Sequence, residues 1–166
     1  MGNLQLPTAD GPRGFDLRLH TCRQAGRTSV ESGYIICAQL QDEPVVAISR
    51  GARIERLAQL SVAGLRGVDE AGDEIELTWA PDLQARVYDM AVAAAAALDL
   101  DLAGVDLKLD LVEQQVVPIV LDVNPRPAGL LHADLISTDP PEPGIGGSLW
   151  RHLAGLSGGR VAHPRK

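Results

Sequence analysis

The stretch GVDLKLDLVEQQVVPIVLDVNPRP, residues 104–127, decides the fold that we predict for this chain. Its first half alternates strictly between apolar and polar side chains, which is the period of a half-buried strand. The apolar members are Val105, Leu107, Leu109 and Leu111. Its second half, residues 116–123, is rich in β-branched residues and predicts a second strand. The polar residues between the two halves, 113–115, predict that the strands form a hairpin.

The length of the hairpin loop decides which side chains share a face. An odd loop centred on Gln114 would pair Val112 with Val116, and every pair further from the turn would keep the same sum of residue numbers. Asp106 would then lie directly opposite Asp122. A loop with an even number of residues would mix polar and apolar side chains on one face, so we expect the odd loop.

Two carboxylates that face each other across a strand pair need a positive partner. Directly opposed Cβ atoms lie about 4.5–5.5 Å apart, and like charges at that spacing repel. Asn124 follows Asp122 by two residues and would add an amide oxygen on the same face. Mg²⁺ prefers such hard oxygen ligands, and it takes one or two carboxylates together with water and substrate phosphates. We therefore predict a magnesium site at Asp106, Asp122 and Asn124; the alternative is a solvated face on which Lys108 offsets the aspartates.

The second strand ends abruptly at Asn124-Pro125-Arg126-Pro127. A residue before proline is biased to extended geometry, and proline fixes its own φ angle. Asn124 and Arg126 would therefore be held more firmly than a plain surface loop requires. This stiffness favours a binding site over the solvated hairpin.

The segments GVDLKLD and VLDVNPRPAGL resemble the C-terminal metal-binding hairpin of the ATP-grasp superfamily. Its members include glutathione synthetase, D-alanine:D-alanine ligase, ribosomal-protein glutamate ligases and biotin carboxylase. The resemblance implies that Asp106, Asp122 and Asn124 hold the magnesium ions of ATP. It also implies that Arg126 lies near the substrate carboxylate or acyl phosphate. The family more often has glutamate where this chain has Asp122.

The resemblance implies further nucleotide-binding residues. The segment VVAISR, residues 45–50, is similar to a family strand whose final arginine reaches the ATP phosphates, which here is Arg50. A guanidinium suits that role because its planar donors grip phosphate oxygens and it stays charged. The alternative for Arg50 is an exposed arginine at the end of a strand. We also assign Lys108 to the nucleotide, and Arg18, in an Asp-x-Arg strand segment, is a weaker phosphate candidate or a surface residue.

The resemblance implies a fold and a reaction. We expect an α+β fold with a mostly antiparallel sheet and helices packed on one face, over residues 1–136, followed by a connector, a short amphipathic helix and a loose tail over residues 137–166. The family clamps ATP with lysines of an upstream lobe, whereas the lysines here are Lys108 and Lys166. The chain therefore resembles the catalytic half of an ATP-dependent ligase, completed by another lobe or a partner chain, that joins a small-molecule carboxylate or peptide to an amine. The alternative is a non-catalytic binding module.

The remaining patterns predict further elements. Residues 34–40 and 45–49 form apolar runs around the turn residues 41–44, which predicts a hairpin. Residues 53–63 have a helical period, and residues 74–79 alternate as a strand. A proline and an early carboxylate at residues 81–82 start the clearest helix. The predicted buried stripe of that helix consists of Leu83, Val87, Met90, Ala94 and Leu98.

Composition limits the class of protein. The chain has 166 residues and a net charge of −7, which argues against general nucleic-acid binding. Only 3% of its residues are aromatic, so stacking platforms for bases are scarce. No apolar stretch reaches the roughly 20 residues that a bilayer span needs, and residues 1–10 do not resemble a signal peptide, so we expect a cytoplasmic protein that does not bind membranes. Cys22 and Cys37 match neither a redox nor a zinc spacing.

Overall fold

The computed structural model describes residues 2–40, 46–68 and 72–125 of the chain. These ranges contain nine strands, two α-helices and a short 3-10 helix at Ile48–Arg50. The strands are β1 (Gly2–Asn3), β2 (Gln5–Leu6), β3 (Arg13–Gln24), β4 (Arg27–Cys37), β5 (Arg53–Arg56), β6 (Leu65–Val68), β7 (Glu74–Leu77), β8 (Leu102–Val112) and β9 (Gln115–Asn124). The helices are α1 (Ala58–Ala63) and α2 (Pro81–Ala97).

The centre of the fold is a five-stranded antiparallel sheet in the order β9-β8-β3-β4-β5. The short strand β1 pairs with the end of β8, and β2 pairs with the start of β3, both antiparallel. From β2 the sheet extends through β6 to β7, again with antiparallel pairing. The predicted α+β class with a mostly antiparallel sheet is therefore confirmed for the described part of the chain.

One face of the central sheet packs against α2 and forms the hydrophobic core. The helix begins at Pro81, as predicted, and its buried side chains follow a spacing of four residues. They are Leu83, Val87, Ala91 and Ala95. The predicted stripe is wrong at Met90 and Leu98, which are exposed. The small side chains of Ala91 and Ala95 let the second half of the helix approach the sheet closely.

The region after β4 differs from the predicted hairpin. Residues 48–50 form a 3-10 helix rather than the end of a strand, and residues 41–45 lie outside the described residues. Gly51 closes this helix with a left-handed φ of 89°, and its N–H bonds to the carbonyl of Ile48. The chain then runs back along β4 as β5, where the predicted helix of residues 53–63 would have begun. Ile54 pairs with Ile36, so cross-strand contact outweighs the helical period of this segment.

The hairpin between β8 and β9 has a two-residue turn, Glu113-Gln114, instead of the predicted odd loop. Both residues have positive φ angles, 49° and 63°, as in the type I′ turns that match the twist of paired strands. Val112 therefore pairs with Gln115 rather than with Val116. The prediction of the loop is wrong.

A β-bulge in β9 corrects the register before the predicted site is reached. The pairing runs regularly to Leu107 and Val120, and then Leu121 is inserted without a partner. Asp106 pairs with Asp122 beyond the bulge. The predicted opposition of these two aspartates is therefore confirmed, although an even turn plus one extra residue produces it.

Residues 126–166 lie outside the described residues, and with them the predicted domain boundary at residue 136 and the elements predicted for 137–166. Among the described helices, none combines the length and apolar character needed to cross a bilayer. Cys22 and Cys37 are buried and are not joined in a disulfide.

Candidate functional site

The face of the central sheet that points away from α2 carries the polar residues, and we call it the polar face. Side chains alternate along a strand, so Leu17, Leu19 and Leu107 enter the core while the residues between them project to the other side. The polar face comprises Asp16, Arg18 and His20 of β3, Tyr34 and Ile36 of β4, Ile54 and Arg56 of β5, Asp106 and Lys108 of β8, and Asp122 and Asn124 of β9.

The strand register aligns five of these residues in one row across the sheet. In spatial order they are Arg56, Tyr34, Arg18, Asp106 and Asp122, and we call them the charged row. Neighbouring Cβ atoms in such a row lie about 4.5–5.5 Å apart. The row carries positive charge toward β5 and negative charge toward β9. Each of the five strands of the central sheet thus contributes one residue to the charged row.

The centre of the charged row is a two-point ion pair. Arg18 Nε donates to Asp106 Oδ1, and Arg18 Nη2 donates to Asp106 Oδ2 at 2.6 Å. The two side chains are 15% and 18% exposed. Burial alone would lower the pKa of Arg18, but the hydrogen bonds and the charge of Asp106 raise it. Arg18 therefore stays charged, and its description as a surface residue is wrong.

The β9 end of the charged row is the carboxylate of Asp122. Asp122 is exposed, and it forms no ion pair with any residue in the described ranges. Asn124 is half-buried and pairs with Gly104 two residues further along β8. Arg18 forms its ion pair with Asp106, and its charge also interacts with the carboxylate of Asp122.

The donor set fits magnesium in its chemistry. Asp106, Asp122 and Asn124 project from one face and offer carboxylate and amide oxygens, the ligand type that Mg²⁺ prefers. Each carboxylate oxygen of Asp106 keeps a second lone pair beside its bond to Arg18. Within residues 2–40, 46–68 and 72–125, no three His, Cys, Asp or Glu side chains are grouped to share a metal ion. The two carboxylates would therefore rely on Asn124, water and phosphate oxygens to complete the shell.

A second row lies next to the charged row and contains Asp16 and Lys108. Asp16 pairs with Ile36 of β4. On the β8 side, Leu17 pairs with Leu107, so the next position of the antiparallel ladder places Asp16 opposite Lys108. Burial raises the pKa of Asp16 to about 6; Lys108 opposes this shift and Asp106 adds to it. In the described part of the chain the Asp16 carboxylate has neither a hydrogen bond nor an ion pair.

On the other side of the charged row lies His20, which is fully buried. Its Nδ1 is 3.1 Å from Ser32 Oγ, and its Nε2 finds no hydrogen-bond partner among the described residues. Burial, assisted by the charge of Arg18, lowers the pKa of His20 to about 4. The imidazole is therefore neutral at physiological pH, and it packs with its ring centre 5.7 Å from that of Tyr34.

An apolar cluster borders the polar face on the side of β4 and β5. Tyr34, Ile36 and Ala52 are its buried members, and Val46 and Ile54 pack against them. Burial raises the pKa of the Tyr34 phenol, Arg18 opposes that shift and Asp106 adds to it. The cluster gives the second row an apolar wall next to Asp16.

The structure brings most, but not all, of the predicted site residues together. Asp106, Lys108, Asp122 and Asn124 share the polar face. Arg50 lies in the 3-10 helix rather than at a strand end, its side chain is exposed, and it forms no ion pair within the described ranges. Arg126 lies outside the described residues.

Sequence reasoning missed Asp16 and His20 of β3, and it gave Arg18 of the same strand only as a weaker phosphate candidate. Asp16, Arg18 and His20 alternate with apolar residues, and this is the same pattern that identified Asp106 and Lys108. The signal that was available is the matching length and opposite charge order of these two strands.

Comparisons of the chain with protein-family models, curated proteins and solved structures found no match.

Proposed function

We propose that the polar face binds Mg-ATP and that the chain is the catalytic half of an ATP-dependent carboxylate–amine ligase of the ATP-grasp type. The observation that carries this proposal is the direct opposition of Asp106 and Asp122, with Asn124 on the same face. β-bulges are frequent next to active sites, where they re-aim a side chain, and the bulge at Leu121 directs Asp122 and Asn124 to this face.

Each residue of the face would have a distinct task. Asp106, Asp122 and Asn124 would hold Mg²⁺, which neutralises charge on the phosphates of ATP. Lys108, on the same face, would bind a phosphate oxygen through its ammonium group. Arg18 would hold the Asp106 carboxylate in one orientation through its two hydrogen bonds. These residues would position the γ-phosphate for attack by the substrate carboxylate, giving an acyl phosphate that an amine captures.

The ligase would need groups beyond the described residues. The chain contains two lysines, Lys108 and Lys166, whereas the resembling family uses lysines of a second lobe to clamp the nucleotide. We propose that another lobe or a partner chain supplies them. Arg126, which follows Pro125 in the sequence, would meet the substrate carboxylate or acyl phosphate, and Arg50 remains a candidate for a phosphate contact.

A second candidate function is a non-catalytic module that keeps the sheet and binds a metal or a partner. The scarcity of lysine favours it. Under this alternative the charged row would bind a divalent cation without nucleotide.

Calorimetric titration with Mg-ATP tests the proposal. We expect saturable heat with the unchanged protein and at least about a tenfold weaker affinity in the double variant Asp122→Ala, Asn124→Ala, because two of its three oxygen ligands are lost. Asp89→Ala, at an exposed position on α2, is the matched control and should bind as the unchanged protein does.

Two results would contradict the proposal. One is heat that survives unchanged in the double variant, and the other is the absence of heat in every protein. Heat with MgCl₂ alone that the double variant loses, without any response to ATP, would support the non-catalytic module instead.

A further inference from the structure

We propose that Asp16 binds the ammonium group of the amine substrate, and that this substrate is a primary amine on an alkyl chain. The inference rests on the proposed function, because it assigns the second substrate of the same ligase. It extends the site from the charged row to the second row of the polar face.

The first support is that the Asp16 carboxylate has no hydrogen-bond or ion-pair partner among the described residues. This carboxylate is half-buried, and Arg18 and Lys108 are its neighbours on the face. Taking a carboxylate out of water without a partner is unfavourable. A cation that enters beside Asp16 would remove this cost, and an ammonium group would also donate hydrogen bonds to the carboxylate oxygens.

The second support is the apolar wall next to this carboxylate. Asp16 pairs with Ile36, and Ile36 belongs to the apolar cluster with Ala52, Val46 and Ile54. Val46 also lies over Gly14, since a Cβ at that glycine would be 3.8 Å from Val46 Cγ2. A hydrated metal ion gains nothing from such a wall. An alkyl chain attached to the ammonium group would bury apolar surface against it.

The third support is the position of Lys108. It lies level with Asp16 on the adjacent strand, and under the proposed function it binds a phosphate oxygen. Residues opposed in this way have Cβ atoms about 4.5–5.5 Å apart. An amine at Asp16 would therefore lie beside an acyl phosphate at Lys108, which is the arrangement that amide formation requires.

The chemistry of the step is balanced within this arrangement. The Asp16 carboxylate takes one proton from the ammonium group, and the freed lone pair of nitrogen forms a bond to the acyl carbon. The bond between that carbon and the phosphate oxygen breaks, and its electron pair leaves with the phosphate, which accepts the second proton of the nitrogen. Because burial raises the pKa of Asp16 to about 6, this carboxylate can exchange a proton near neutral pH. The charged or titratable groups that face it are Arg18, Tyr34, Asp106 and Lys108.

The test uses n-butylammonium chloride as the probe and follows backbone amide signals by nuclear magnetic resonance. We expect saturable shifts in the amides of β3 and β8 around Asp16, and an apparent Kd at least about tenfold weaker in Asp16→Asn. n-Butanol, which has the same chain without the charge, should not produce these shifts. Asp89→Asn, at an exposed position on α2, is the matched control and should behave as the unchanged protein does.

A measurement on the unchanged protein keeps the test independent of the variant. Binding of n-butylammonium should weaken as the pH falls below about 6, because Asp16 becomes protonated while the probe stays charged. The inference is overturned if the unchanged protein shows no saturable shifts, if n-butanol produces the same shifts, or if the shifts persist in Asp16→Asn.

Calorimetry with Mg-ATP separates the two proposals. Asp16→Asn should still give saturable heat with Mg-ATP, because Asp16 is neither a proposed magnesium ligand nor a proposed phosphate contact. Loss of n-butylammonium binding in Asp16→Asn supports the amine site whether or not Mg-ATP binds. Shifts that persist in Asp16→Asn refute it even where Mg-ATP binding is confirmed.

Discussion

The ion pair between Arg18 and Asp106 lies at the centre of the charged row. Both side chains are mostly buried, and both carboxylate oxygens accept hydrogen bonds from one guanidinium. Removing one member of such a pair leaves an uncompensated buried charge, whereas replacing both by apolar residues is often close to neutral. The pair should therefore contribute more to the order of the site than to the total stability of the fold.

We predict that Arg18→Met lowers the free energy of unfolding by about 2–4 kcal/mol, because it leaves the Asp106 carboxylate without its partner. The double variant Arg18→Met, Asp106→Leu should recover most of that loss. Urea denaturation of both variants measures the effect. Arg23→Met serves as the control, since Arg23 forms its ion pairs with the more exposed Asp99 and Asp101 and should cost much less.

Equal stability of Arg18→Met and the unchanged protein would show that Asp106 does not depend on Arg18. A double variant that is no more stable than the single one would show that the loss comes from packing of the arginine stem rather than from the stranded charge.

At the scale of elements, the bulge in β9 shifts the register by one residue, so that Asp122 lies opposite Asp106 despite the two-residue turn. The turn is one residue shorter than predicted, and Leu121 supplies one extra residue on β9 before Asp122. Val120 and Val123 both pack against the core although three positions separate them. In a regular strand those two side chains would point to opposite faces.

We predict that deleting Leu121 is tolerated, because a regular ladder from the two-residue turn would then place Asp122 opposite Asp106 and Val123 opposite Val105. The free energy of unfolding should change by less than about 1 kcal/mol, and Mg-ATP binding should persist. Deleting Val123 is the matched control. It would turn Asn124 toward the core and should cost about 2 kcal/mol or more.

Urea denaturation of the two deletion variants decides between these outcomes. If both deletions are equally damaging, the bulge itself is required at Leu121, and the explanation in terms of register is wrong.

The elements that the sequence predicted correctly are those whose pattern is local. The alternation in β8 and the helix that begins at Pro81 each express a single period, and both were found. β5 was predicted as a helix because Ile54 and Leu57 fit a helical spacing, yet Arg53–Arg56 pairs with β4. The loop of the hairpin was misjudged because the extra residue lies far from the turn, where the local pattern gives no indication of it.

At the scale of the whole molecule, the buried His20 and the half-buried Asp16 of the polar face respond to pH in opposite directions. The pKa of His20 falls from 6.5 to about 4 on folding, so the unfolded chain takes up a proton in this range and stability drops as the pH falls. The pKa of Asp16 rises from 3.8 to about 6, so the folded protein takes up the proton first and stability increases as the pH falls. The two effects oppose each other between about pH 6 and pH 4.

We predict that Asp16→Asn reveals how the titration of His20 changes stability with pH, and that His20→Gln reveals the corresponding effect of Asp16. Relative to the unchanged protein, Asp16→Asn should lose stability as the pH falls from about 6 to 4, because the stabilising protonation of Asp16 is gone. His20→Gln should gain stability over the range from 6.5 to about 4, and it keeps a polar group near Ser32. Urea denaturation across this range measures both differences.

Asp89→Asn, at an exposed position, should follow the pH dependence of the unchanged protein and controls for the loss of a carboxylate. Parallel curves for all proteins would contradict the opposed titrations of Asp16 and His20.

The site as a whole was only partly predictable because half of it comes from a distant part of the chain. The hairpin pattern alone placed Asp106, Asp122 and Asn124 on one face. Arg18 lies beside Asp106 because β3 pairs with β8. The local sequence pattern of either strand does not predict which strand it pairs with. The same pairing places Asp16 level with Lys108.

The two partners of the central ion pair are 88 positions apart in sequence. During synthesis β3 leaves the ribosome before β8, so Arg18 can form its ion pair only after the later strand has been made. Pairings of this kind close slowly, since a long loop has to be ordered first. A nascent chain can therefore complete its polar face only after β8 has been synthesised and has paired with β3.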